Sequence, residues 1–268
     1  MNLYDYGCEL SPYDARDYKV CGVAGLPDAF ELDFSNIRVK NQGSVSSCVA
    51  HAMSTILEYY DNGNNDLSTN FIYGLQKELC NNETKGMYLR DACKIATKCG
   101  DALEDDCPGN TEVSKVFDIA LAAYQNEEIM ERAAHFKTKA YCSCSGIEEI
   151  KTALINNGPV LISIKWYKDY KVKNGILVDG YSEDYGYHAL VVYGYNEQGF
   201  LVQNSWGKNW GNKGRFILPY DIKIAEARSL IDIDNDSYIA PDKPNKFMEF
   251  LYKLLNNIVN FIRQLQTN

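Results

Sequence analysis

The stretch Asn41-Gln42-Gly43-Ser44-Val45-Ser46-Ser47-Cys48-Val49-Ala50-His51-Ala52-Met53 governs the reading of the whole chain. It joins a polar, glycine-bearing loop to a run in which Val49, Ala52, Met53, Ile56, Leu57 and Tyr60 recur at helical spacing. A helix is therefore expected from Cys48, with Ser46 or Ser47 as its N-cap, ending at Asn62-Gly63-Asn64-Asn65. A cysteine at that place is chemically distinctive. The N–H groups and dipole of a helix N-terminus favour the thiolate, which is the nucleophilic form. A lone cysteine also serves as a small buried hydrophobe, so the motif needs a base from elsewhere.

The chain has three histidines, His51, His135 and His188. His51 lies almost one turn beyond Cys48 and reads as a satisfied core or supporting residue, and His135 as part of a charged helix end. His188 lies near the start of the strand-like run Tyr187-His188-Ala189-Leu190-Val191-Val192-Tyr193, where it can face a cleft. A following strand, Phe200 to Asn204, folds back across Asn196-Glu197-Gln198-Gly199 as a hairpin. That fold-back returns Asn204 towards His188. An Asn side chain can accept the imidazole N–H and orient the ring, and Trp206 and Trp210 can shield that bond or simply pack in the core.

Together these residues resemble the papain-like cysteine peptidases. The block from Asn41 to Cys48, His188-Ala189, and Asn204-Ser205-Trp206-Gly207-Lys208-Asn209-Trp210-Gly211 carry the resemblance, in the order Gln, Cys, His, Asn. Gln42 lies six residues before Cys48, and Asn204 lies 16 after His188. The pattern is closest to bacterial members with a short N-terminal lead-in, which Asp14-Ala15-Arg16-Asp17-Tyr18 resembles. The resemblance implies Cys48 as nucleophile, His188 as base, Asn204 as orienting residue, and Gln42 with the Cys48 N–H as oxyanion hole. It also implies substrate contacts at Gly86, Met87, Ala189 and Trp206, a peptide or protein substrate, and neither metal nor cofactor. Val45, Ser46, Val49 and Tyr187 depart from the family's usual residues, which bears on pocket shape. A catalytically inactive peptide-binding relative and another cysteine acyl-transfer enzyme stay open as alternatives.

Working outward, residues 1–27 read as an extended arm near the cleft, with Tyr4, Tyr6, Tyr13 and Tyr18 available to fill subsites. Helices are expected at 69–79, 88–97, 113–133 and 147–156, and strands after Asn157-Gly158-Pro159. A helical half followed by a strand-rich half is an α+β pattern. With the family resemblance it implies a helical lobe and an antiparallel, barrel-like lobe over 28–240. Residues 241–268 read as a linker and amphipathic helix. Its stripe of Phe247, Leu251, Leu254, Ile258, Phe261 and Leu265 suits self-association, docking on its own domain, or membrane-surface contact over 245–265.

Composition narrows the rest. A formal net charge of -9 opposes nucleic-acid binding, which needs clustered Lys and Arg. No apolar run is long enough to span a bilayer, and the first 20 residues lack a secretory apolar core. Nine scattered cysteines read as reduced thiols, Cys142 and Cys144 included, so the expected location is cytoplasmic.

Overall fold

The computed structural model describes residues 6–20, 22, 25–82, 84–109, 112–178, 180 and 182–232. Tyr4 and the linker and helix read over 241–268 lie outside the described residues. In chain order the elements are β1 (Cys8–Glu9), β2 (Phe30–Glu31), α1 (Cys48–Tyr60), α2 (Thr69–Gly74), α3 (Gln76–Cys80), β3 (Met87–Tyr88), α4 (Leu89–Lys98), α5 (Val113–Tyr124) and α6 (Glu127–Ala133). There follow β4 (Thr138–Ser143), α7 (Ile147–Asn157), β5 (Val160–Tyr167), β6 (Lys171–Lys173), β7 (Ile176–Val178), β8 (Tyr185–Asn196), β9 (Gly199–Gln203), β10 (Arg215–Leu218) and β11 (Ile224–Asp232).

Two apolar clusters give the α+β lobes their separate cores. One gathers α1, α2 and α4 around Met53, Ile56, Phe71 and Leu89. The other gathers the sheet around Ile162, Ile164, Trp166, Leu190 and Phe200. α1 is buried from Cys48 to Glu58, so it is a central helix rather than a surface one. It stops where Asn62 and Gly63 turn to positive φ, as the Asn/Gly cluster implied.

The main sheet runs β4-β11-β5-β8-β9-β10-β7-β6. It is an open path rather than a closed barrel, and β7 pairs with β10 in parallel. Along β5, Ile162, Ile164 and Trp166 point into the sheet lobe's core, while the alternate residue Ser163 faces the other way. That second face packs on α1, since Leu161, Ala189 and Val191 join the helical lobe's cluster.

Two helices expected to be continuous are divided. The run 69–79 breaks at Leu75, and 113–133 breaks at Asn126, whose side chain accepts the N–H groups of Glu128 and Ile129 at 3.0 and 3.2 Å. An Asn that caps a new helix competes with continuing the old one. Ser47 occupies the N-cap position of α1 without a side-chain cap bond. Its hydroxyl turns to His51 Nδ1, 3.2 Å away.

Candidate active site

The site is assembled by a zipper between two sequence blocks far apart in the chain. Gln42 N–H donates to Ser205 O at 2.9 Å, Ser205 Oγ donates to Gln42 Oε1 at 2.7 Å, and Asn41 bridges Trp206. Gln42 Nε2 donates to Val45 O at 3.0 Å, bracing the loop that enters α1. The block before Cys48 and the block holding Asn204 therefore fold as one unit.

His188, on β8, is fully buried. Its Nε2 lies 2.7 Å from Asn204 Oδ1, which also accepts the Ser205 N–H at 2.8 Å. An amide oxygen only accepts, so Nε2 carries the proton and Nδ1 is the basic nitrogen. Nδ1 has no hydrogen-bond partner among the described residues. Trp206 stacks on the ring with centroids 4.6 Å apart at 28°, and Trp166 meets it edge-on at 5.3 Å. Asn204 is held by its N–H to Gly214 O at 2.9 Å. A Cβ on Gly214 would come within 2.3 Å of Val39, so this approach needs glycine. Burial holds the His188 pKa down to about 4 against the opposing Asn204 bond.

Cys48 begins α1 and is fully buried. Burial pushes its thiol up to about 11, although the N–H groups of Ala189, Gly7, Val49 and Cys48 itself all favour the thiolate. The activation expected from the helix terminus is present but outweighed by desolvation. Burial thus opposes charge on Cys48 and on His188 alike.

The N-terminal arm adds to that burial. β1 lies in the cleft between β3 in parallel and β8 in antiparallel, with Cys8 opposite both Met87 and Tyr187. Met87 N–H donates to Gly7 O at 2.8 Å, while the Gly7 N–H meets the Cys48 thiol. The sulfur therefore faces a donor, and the Gly7 carbonyl is held by Met87. Gly7 has no room for a side chain here, and Gly86 sits close against the movable Glu9 side chain. A Cβ on Gly7 would lie 1.9 Å from Ser46 O, and one on Gly86 would lie 2.8 Å from Glu9.

Beyond β1 the arm staples the two lobes. Arg90 of α4 and Arg228 of β11 both bind Asp17 Oδ2, at 2.6 and 2.8 Å. Ser11 N–H donates to Glu226 at 2.9 Å and Pro12 O accepts from Arg90 at 2.6 Å. The expectation that tyrosines fill subsites is corrected. Tyr13 and Tyr18 are 90% and 80% exposed, and of the described arm tyrosines only Tyr6 approaches His188, at 6.4 Å. Beside Cys48 the arm presents Gly7, where Ser46 O leaves no space for a Cβ.

Of the sequence-derived site residues, Cys48, Ala189, Gly86 and Met87 meet around the arm, and Gln42, His188, Asn204 and Trp206 form the adjoining network. Sequence reading missed Ser163, Asp17, Arg90 and Arg228. The alternation of Glu226 and Arg228 with Ala225, Ala227 and Leu230 gave no clear signal for Arg228. His51 is a supporting residue as expected, with Nδ1 2.9 Å from Ser47 O.

A helical and a sheet lobe that bring a helix-terminal cysteine, a histidine and an asparagine together define a cysteine-protease-like protein. The model for the papain family of cysteine proteases matches residues 27–233, and the chain belongs to that family. An uncharacterized peptidase C1-like protein of Acanthamoeba polyphaga mimivirus is 27% identical over 198 residues, covering 67% of this chain and 63% of the relative. The cathepsin B-like cysteine proteinase 3 of Caenorhabditis elegans is 26% identical over 227 residues, 71% and 61% of the two chains. The chain therefore spans less than two thirds of these curated relatives. Among solved structures, xylellain, a cysteine protease from Xylella fastidiosa, superposes with a TM-score of 0.71 over 85% of this chain and 96% of the other, at 21% identity.

Proposed function

We propose that the protein is a cysteine peptidase that hydrolyses peptide bonds through a thioester on Cys48. The observation that carries this reading is the His188–Asn204 bond at 2.7 Å, which leaves Nδ1 a buried base with no partner among the described residues. Unsatisfied buried polar atoms are rare and costly, and catalysis is a common reason to keep one. With the arm displaced, Nδ1 takes the Cys48 proton and the thiolate attacks the substrate carbonyl carbon. The Cys48 N–H and the Gln42 amide hold the resulting oxyanion. The imidazolium then gives its proton to the leaving amine, and water hydrolyses the thioester with the same nitrogen as base.

The arm supports a peptide substrate, because it occupies the cleft as an extended chain paired through backbone groups of Met87 and Tyr187. A substrate strand has the same two walls available. Trp206 acts by shielding His188, while Gly86, Met87 and Ala189 lie where substrate backbone passes. Eight described cysteines are free thiols, which supports work in a reducing, cytoplasmic setting.

The test is hydrolysis of internally quenched peptides by the full-length protein under reducing conditions. Cleavage abolished by Cys48→Ala is expected. Cleavage that survives this substitution refutes the mechanism, and peptide binding without turnover favours the inactive relative.

A further inference from the structure

The residue after the one that touches the nucleophile is itself a cysteine. Gly7 gives its N–H to the Cys48 thiol, and Cys8 follows. Both cysteines are buried, both are free, and both belong to the same apolar cluster. Cys8 Sγ lies 3.2 Å from Ser163 Oγ. Ser163 is paired across the β5–β8 ladder with Ala189, whose N–H also meets the Cys48 thiol. The two sulfurs therefore sit over one cross-strand step of the sheet.

Cys8 Cα lies one step of about 3.8 Å beyond the Gly7 Cα, whose own N–H contacts the sulfur. A disulfide spans about 4.4–6.8 Å between Cα atoms. Closing the link requires the Cys8 side chain to turn from Ser163 and the short pairing of β1 to shift towards Cys48.

We propose that Cys8 is a redox latch, forming a disulfide with Cys48 that fixes the arm over the site under oxidants such as hydrogen peroxide. When the arm is open, the Cys48 thiolate attacks one peroxide oxygen, the O–O bond breaks, and Cys48 sulfenic acid and hydroxide result. When the arm returns, the Cys8 thiolate attacks the sulfenic sulfur and expels the second hydroxide. Two thiols and one peroxide thus give one disulfide and two waters, and a thiol reductant reverses the change. The latch also spares Cys48 from irreversible oxidation, as a resolving cysteine does. In the closed, reduced state burial and the neighbouring Cys48 sulfur push the Cys8 pKa well up, so Cys8 attacks while the arm is returning and still reaches water.

The inference rests on Cys48 being an activated thiol when uncovered, and not on peptide hydrolysis. It is tested by treating full-length protein with hydrogen peroxide, blocking free thiols, and mapping non-reduced digests by mass spectrometry. A linked Cys8–Cys48 peptide pair is expected, lost on reduction and absent from Cys8→Ser, where Cys48 goes on to sulfinic acid. Sulfinic acid forming at the same rate in wild type and Cys8→Ser, with Cys8 still free, overturns the latch. So does a Cys48 that stays reduced throughout. Parallel peptide hydrolysis by the reduced protein separates the two readings. Turnover without the link removes only the latch, and the link without turnover removes only the peptidase.

Discussion

His51 and His188 lie in two regions of the same site and share most of their physics. Each is buried, and burial holds each down to about 4. They differ in what their nitrogens meet. His51, inside α1, has Nδ1 against both the carbonyl and the hydroxyl of Ser47. His188, on β8, has one nitrogen fixed by Asn204 and leaves the other without a partner among the described residues. The lesson is that a depressed pKa reports burial, whereas an oriented ring with an unsatisfied nitrogen reports chemistry.

Substitution tests this contrast most strongly at His188. His188→Ala should lower peptide turnover by about 10⁴, as loss of a base from a nucleophile–base pair does. Steady-state kinetics on a quenched peptide provide the readout, and a loss below about tenfold would break the contrast. Gln42→Ala should cost about 10²–10³ in kcat, the usual effect of removing one oxyanion donor. Asn204→Ala should lower kcat by about 10–10² by freeing the ring, with KM little changed. Equal kcat for wild type and Asn204→Ala would remove the argument from orientation.

Asp17→Asn sharpens the comparison from the arm's side. Weakening the clasp to Arg90 and Arg228 should expose Cys48 more often and speed its alkylation several-fold. An unchanged alkylation rate would mean that Asp17 does not hold the arm.

The smallest effect on turnover belongs to His51. His51→Gln should leave kcat within about twofold while altering stability against pH. Between about pH 6.5 and 4 the unfolded imidazole binds a proton and the buried one does not, so stability falls as pH falls through that window. Removing either His51 or His188 should flatten this loss by one proton, read from thermal midpoints across pH. Only the His188 change should also abolish turnover.

The placing of Cys48 at the head of α1 and the His188–Asn204 pairing were legible because local patterns carry them. Helical spacing marked α1, a hairpin turn placed Asn204 beside His188, and Asn/Gly residues ended the helix at 62–63. Less local features were not legible. The helix breaks at Leu75 and Asn126 depend on capping geometry, and the open sheet depends on which edges pair. The seating of Gly7 and Cys8 over Cys48 depends on space left by Ser46, Ser163 and Met87, which no periodicity encodes. The resting pKa of Cys48 was misjudged for the same reason, since the helix terminus is local and the contacts that bury the thiol are not.

Covalent mapping of the thiol tests the central claim most directly. Full-length wild type, Gly7→Ala, Cys48→Ala and His188→Ala should each be treated with a peptidyl epoxide under reducing conditions and mapped by mass spectrometry. Gly7→Ala places a methyl against Ser46 O and should expel the arm from the nucleophile. A papain-like site predicts one label per chain, on Cys48, faster in Gly7→Ala than in wild type, slowed in His188→Ala and absent in Cys48→Ala. Labelling spread over other cysteines, or a Cys48 rate indifferent to both Gly7→Ala and His188→Ala, would contradict it.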